Sequence, residues 1–123
     1  MTQIHSFENE SLADVFVMSV FFAPLIETLV FQLLVIELTL LIFRIFRLNY
    51  GFCFSIVLSS ILFGLTHSYN IYYIGYTMFS GAVLAFFYLI ARNRKDMNGY
   101  LVVTIVHAVS NFFAFILNYV LNF

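Results

Sequence analysis

The chain has 123 residues, of which 63% are hydrophobic and only 9% are charged. A soluble domain carries roughly 25% charged residues, so this composition excludes a water-soluble fold. The net charge of −1 excludes a nucleic-acid partner, because no basic surface would meet a phosphate backbone. The composition therefore predicts an integral membrane protein whose surroundings are the lipid bilayer.

Taken in chain order, the apolar stretches predict an all-α, polytopic transmembrane bundle of about four helices, since one membrane span needs about 20 residues. Residues 1–23 are expected to form a polar N-terminal tail and an interfacial or re-entrant segment, and residues 24–123 the four-helix core. Pro24 should break the first stretch, because proline fits the first turn of a helix and disrupts an interior. The predicted helices cover residues 24–43, 52–67, 71–91 and 100–120.

All five basic residues lie just after the first or the third predicted helix: Arg44, Arg47, Arg92, Arg94 and Lys95. Four alternating spans would bring both clusters to the same membrane face. The positive-inside rule makes that face cytoplasmic. We therefore expect a multi-pass protein of the cell (inner) membrane with both termini on the opposite side.

Four ionisable side chains are expected inside the membrane: Glu27, Glu37, His67 and His107. Each costs at least a few kcal/mol at bilayer depth, so each should face the interior of the bundle. Counted from the basic ends at about 1.5 Å per residue, Glu27 and His67 lie about 25 Å deep, Asn111 near 18 Å and His107 near 12 Å. Glu37 is shallower, and we expect it to have a structural role, neutral or paired with a basic side chain.

One carboxylate, two imidazoles and a carboxamide at similar depth are the groups that a hydrolytic site needs. Glu27 could take a proton from water, His67 could orient that water or share the base role, and His107 with Asn111 could stabilise an oxyanion. Glu27, His67 and His107 also match the ligand set of a catalytic zinc site. The residue types leave both possibilities open. A histidine or a lone glutamate in a helix bundle can also be a purely structural hydrogen-bonding group.

Three short motifs resemble those of the CAAX protease and bacteriocin-processing family of intramembrane proteases, also called CPBP or Abi, in a short form. That family carries EExxxR, FxxxH and HxxxN on separate helices of a four-helix core. Here the blocks are ETLVFQ from Glu27, FGLTH ending at His67, and HAVSN from His107 to Asn111. The resemblance implies proteolysis in the membrane without a required cofactor, with Glu27 and His67 activating water and His107 and Asn111 binding the oxyanion.

The first motif departs from the family pattern at two positions, where Thr28 replaces Glu and Gln32 replaces Arg. The two positions are four residues apart and hence neighbours on a helix, so the family's Glu and Arg could pair there. Both charges are lost together, which leaves neither as an uncompensated buried charge. We therefore expect Thr28 and Gln32 to support the site from behind without taking part in the chemistry.

These features predict an intramembrane endopeptidase that cleaves a peptide or membrane-protein substrate, in bacteriocin maturation or self-immunity. Prenylated proteins are a less favoured substrate, because the predicted topology places the site away from the cytoplasm. One alternative is a non-catalytic membrane immunity or binding protein. Another is a proton-coupled channel or transporter subunit that uses the same carboxylates and histidines as a relay. The short chain also leaves open a partner membrane protein or a homo-oligomer.

Overall fold

The computed structural model describes residues 11–67 and 70–121, which form four helices and no strand. Helices α1, α3 and α4 are long and apolar enough to cross a membrane, and α2 is a shorter apolar helix. The predicted all-α transmembrane bundle is thus confirmed, whereas the first ten residues of the predicted tail lie outside the described part. The helices are α1 (Leu12–Ile45), α2 (Gly51–Leu65), α3 (Ile71–Arg92) and α4 (Gly99–Val120).

Helix α1 continues through Pro24 without a break, so the predicted helix start at this residue is wrong. Residues 12–23, which were expected to form a separate interfacial or re-entrant segment, are the first turns of the same helix. Two π-helical stretches, Met18–Phe22 and Thr28–Leu34, lie within it, and such adjustments let a membrane helix accommodate proline. At 34 residues the helix is about 51 Å long, so it must tilt in, or extend beyond, a ~30 Å hydrocarbon core.

The π-helical stretch before Pro24 changes the partner of one backbone carbonyl, that of Ser19. Its usual donor, the N–H of Ala23, bonds to the Met18 carbonyl instead, and Pro24 has no N–H to offer. The Ser19 carbonyl accepts a hydrogen bond from Nδ2 of Asn111 on α4, at 2.8 Å. Pro24 thereby helps to provide an acceptor that links α1 to α4.

Helix α2 is too short to cross the hydrocarbon core. Its 15 residues span about 22 Å, against a core of ~30 Å. The helix begins at Gly51, directly after Tyr50 in the left-handed conformation, and ends at Leu65. His67 follows this end, and its depth in the membrane stays a prediction.

Helices α2 and α3 pack closely because small residues face each other. A Cβ added at Gly81 would lie 3.2 Å from the Cα of Ser60 and 3.0 Å from the Phe63 ring. Gly75, on the same helix, makes no such close approach, because an added Cβ would meet no described atom within 4 Å. The buried hydrophobic core joins all four helices and consists of Ile36, Phe63, Leu84, Ala85, Tyr88, Leu89 and Val103.

The basic clusters at the C-terminal ends of α1 and α3 lie at the same end of the bundle. Both oxygens of Glu37 accept hydrogen bonds from the Arg92 guanidinium, and Oε1 also accepts one from the Tyr88 hydroxyl at 2.8 Å. Arg44 lines the same cavity as Glu37 and Arg92. The predicted pairing of Glu37 with a basic residue is confirmed, while the cytoplasmic location of this end stays a prediction.

Candidate active site

A cavity of about 580 Å³ opens among the helices towards the end of the bundle opposite to Arg44 and Arg92. The four candidate site residues, Glu27, His67, His107 and Asn111, all line it. They come from α1, from the residues after α2, and from α4. The structure thus brings the predicted residues together, while their catalytic roles stay predictions.

Glu27 lies between the two imidazoles. Its Oε1 is 3.4 Å from Nε2 of His67, and its Oε2 is 3.1 Å from Nε2 of His107. The side chains of Glu27 and His67 are 25% and 19% exposed, whereas that of His107 is only 6% exposed. Glu27 and His67 can therefore meet a molecule in the cavity, and His107 holds Glu27 from a more enclosed position.

The backbone of α2 fixes the protonation pattern of His67. Its Nδ1 lies 2.7 Å from the Phe63 carbonyl oxygen, which can only accept, so Nδ1 must carry a hydrogen. In the neutral ring, Nε2 is then the basic nitrogen, and it points at Glu27. A nitrogen lone pair and a carboxylate cannot hydrogen-bond to each other directly, and 3.4 Å leaves no room for water between the two atoms, so the contact requires a proton that they share.

His107 is held from two sides. Its Nε2 faces Glu27, and its Nδ1 lies 3.4 Å from the hydroxyl of Thr28, which is fully buried. In the neutral ring these contacts fit an Nε2–H that donates to the carboxylate and an Nδ1 that accepts from the hydroxyl. Thr28, at the position of the family's second Glu, therefore touches the site through His107.

Asn111 is oriented by the Ser19 carbonyl described above. One N–H of its Nδ2 is used in that hydrogen bond, and a carboxamide nitrogen carries two. The second N–H has no acceptor in the described part of the chain, so it can donate to a molecule in the cavity. No role for Ser19 was predicted from the sequence. The available signal was Pro24, five residues later, which has no N–H to donate to the Ser19 carbonyl.

Phe63 packs against both histidines. Its ring centroid lies 4.6 Å from that of His67 and 5.7 Å from that of His107, and its side chain is 4% exposed. Together with its carbonyl contact to His67, this makes Phe63 a support for both imidazoles. Sequence reasoning included it only as part of a motif, and the signal was its position four residues before His67.

Gln32 lies one turn beyond Thr28, and both side chains are fully buried, so their predicted shared face is confirmed. Neither the amide nitrogen nor the amide oxygen of Gln32 has a hydrogen-bond partner in the described part of the chain. The same holds for the hydroxyl of Thr104. A buried arginine at position 32 would need a carboxylate partner, and Thr28 does not provide one.

Glu27, His67 and His107, the residues of the zinc alternative, meet through nitrogen–carboxylate contacts of hydrogen-bond length. Within residues 11–67 and 70–121, no group of three His, Cys, Asp or Glu side chains is arranged to hold a metal ion. Zinc stays an alternative to the cofactor-independent site, and a chelator can test it.

Residues 9–113 match the family model described as type II CAAX prenyl endopeptidase Rce1-like, and this segment contains every candidate site residue. No curated protein and no solved structure shows significant similarity to the chain. A family of membrane endopeptidases agrees with a multi-pass protein that has three helices of spanning length. The chain therefore belongs to the Rce1-like family of type II CAAX prenyl endopeptidases, the CAAX protease and bacteriocin-processing group that its three motifs predicted.

Proposed function

We propose that this protein is an intramembrane endopeptidase that hydrolyses a peptide bond with water activated by Glu27 and His67. The observation that carries the proposal is the contact of Glu27 with two imidazoles in one cavity of a membrane-spanning bundle. A carboxylate and an imidazole that share a proton can act in turn as base and acid. Membership of a protease family supports the peptide bond as the target.

The attacking water binds from the cavity side, where it can contact both Oε1 of Glu27 and Nε2 of His67, which lie 3.4 Å apart. The pair accepts one proton while the water oxygen bonds to the carbonyl carbon of the substrate. The carbon–nitrogen bond then breaks, and the pair returns the proton to the leaving amine. The products are a new carboxyl terminus and a new amino terminus, with no covalent enzyme intermediate.

Asn111 is the group best placed to donate to the oxyanion, through the N–H that the Ser19 carbonyl leaves free. His107 orients Glu27 in this geometry. The oxyanion role inferred for His107 from the motif requires its Nε2–H to turn from Glu27 towards the substrate. One such donor typically contributes about 10²–10³-fold in kcat.

The cavity is suited to an apolar segment of a peptide or a membrane protein. Aromatic and aliphatic side chains form much of its wall, among them Tyr76, Phe79 and Val83 on α3 and Leu117 on α4. If the basic end lies on the cytoplasmic side of the cell (inner) membrane, the cavity opens towards the outer side. The substrate would then be a secreted or leader peptide, as in bacteriocin maturation or self-immunity. The opposite orientation would favour the prenylated CAAX substrates after which the family is named.

The proposed proteolysis can be tested without a known substrate, by searching whole membranes for protein termini that the enzyme creates. Cells that express the wild type, Glu27→Gln or Glu37→Gln are compared by mass spectrometry of new amino and carboxyl termini. Glu37 is the matched control, because it is a carboxylate on the same helix that contacts Arg92 instead of the histidines. New termini should appear with the wild type and with Glu37→Gln, and should be absent with Glu27→Gln.

Equal sets of termini for wild type and Glu27→Gln would contradict the proposal. A phenotype such as immunity that survives Glu27→Gln would point to a binding protein. Proton flux through liposomes that Glu27→Gln abolishes, without any proteolysis, would point to a channel or transporter subunit.

A further inference from the structure

A second cavity, of about 430 Å³, lies at the basic end of the bundle and is remote from the candidate active site. Two guanidinium groups line it, Arg44 near the end of α1 and Arg92 at the end of α3. Its volume falls within the range of ordinary ligand pockets, roughly 300–1,000 Å³. The remaining walls come from Glu37, Leu38, Leu40, Leu41 and Phe52.

The side chains that line this cavity carry a net positive charge, which favours the binding of an anion. Glu37 neutralises one guanidinium through its paired contacts with Arg92. Arg44 is exposed and makes no hydrogen bond or ion pair in the described part of the chain, which leaves one net positive charge. Arg92 uses only two of its five N–H donors on Glu37, so both guanidinium groups can still donate.

The walls favour a lipid over a free ion. Leu38, Leu41 and Phe52 are 56%, 39% and 49% exposed, and they line the cavity together with Arg44. Arg44 lies in the last turn of α1, where the helix leaves the apolar layer. The phosphodiester of a phospholipid needs a cationic site at the end of a membrane helix, and the acyl chains of the lipid need an apolar wall beside that site.

We propose that this cavity binds the phosphate of an anionic phospholipid with a single negative charge, with Arg44 and Arg92 as donors. Glu37 keeps Arg92 in place, since its own charge is already satisfied by that side chain and by the Tyr88 hydroxyl. The acyl chains lie along Leu38, Leu41 and Phe52. The site is independent of the proposed proteolysis and ties the end of α3 to α1 through the lipid.

Native mass spectrometry of the full chain in detergent tests the proposal with phosphatidylglycerol and phosphatidylcholine of identical acyl chains. The wild type should retain phosphatidylglycerol in preference to phosphatidylcholine. Arg44→Gln should weaken phosphatidylglycerol binding roughly fivefold or more, the effect expected for one basic residue at a membrane surface. Arg47→Gln is the matched control, because it removes the same charge from the same cluster outside the cavity, and should change binding less than twofold.

Arg44→Lys keeps the charge and should bind more tightly than Arg44→Gln. Equal losses in Arg44→Gln and Arg47→Gln would overturn the site, because binding would then depend on overall charge. The absence of a preference over phosphatidylcholine would overturn it as well. Displacement of the lipid by millimolar inorganic phosphate would show a site for free anions and would overturn the lipid assignment.

Discussion

Replacing Asn111 with alanine should destabilise the protein because it leaves a carbonyl on another helix without a donor. The Ser19 carbonyl has lost its usual helical donor, Ala23, and Pro24 cannot replace it. This hydrogen bond is part-buried, and an acceptor left unpaired away from water costs about 1–3 kcal/mol of unfolding free energy. Pro24→Ala restores a backbone N–H, so the local hydrogen bonds can return to α-helical spacing and Ala23 can donate to Ser19 again. In that background the cost of Asn111→Ala should fall by at least about 1 kcal/mol.

The assay is a double-mutant cycle on the wild type, Asn111→Ala, Pro24→Ala and the double variant, with unfolding free energies measured in one detergent. Asn118→Ala is the control, since Asn118 lines the same cavity and makes no hydrogen bond in the described part of the chain. Its effect should be independent of Pro24. Additivity of the Asn111 and Pro24 substitutions within about 0.3–0.5 kcal/mol would refute the proposed link between the proline and the site.

Three further predictions concern the support of the site, its cofactor and its orientation. Thr28→Val removes one hydrogen bond to His107 and should lower the cleavage rate about two- to tenfold. Gln32→Ala should lower the cleavage rate less than Glu27→Ala does. A larger loss with Gln32→Ala than with Glu27→Ala would contradict the supporting role of Gln32. Cleavage should persist after treatment with a zinc chelator, whereas loss of activity that added zinc restores would establish the zinc alternative. Cysteines at positions 49 and 97, in a chain lacking Cys53, should resist an impermeant thiol reagent in intact cells and react after permeabilisation; labelling of both in intact cells would reverse the topology.

Local sequence rules predicted most of the helices because the bilayer simplifies the problem. In the bilayer, a long apolar run can form all its backbone hydrogen bonds only as a helix. The ends of three of the four predicted helices therefore lie within two residues of the observed ends. The rule failed at Pro24. A proline breaks a helix when its freed carbonyl has no other donor, and here a π-helical stretch and Asn111, 87 positions away along the chain, supply the compensation.

The members of the candidate site were predictable, but their contacts were not. Polar groups are costly in lipid, so Glu27 and the two histidines had to face inward. Depth counting nevertheless separated His107 from Glu27 by more than 10 Å, whereas their side chains are in contact. Tyr100 is the second residue of α4, yet its hydroxyl donates to the Leu25 carbonyl, 19 residues before Arg44 on α1. Helix α4 therefore does not begin at the depth of Arg44, and depths counted along the two helices are not comparable.

The most direct test of the account is cleavage by the purified protein in liposomes, using a substrate identified from the membrane termini. The wild type and Glu37→Gln should cleave it at similar rates. Glu27→Gln should fold, retain the substrate and fail to cleave it, because its neutral amide cannot accept the proton of the attacking water. Cleavage by Glu27→Gln at the wild-type rate would contradict the assignment of Glu27 as the base.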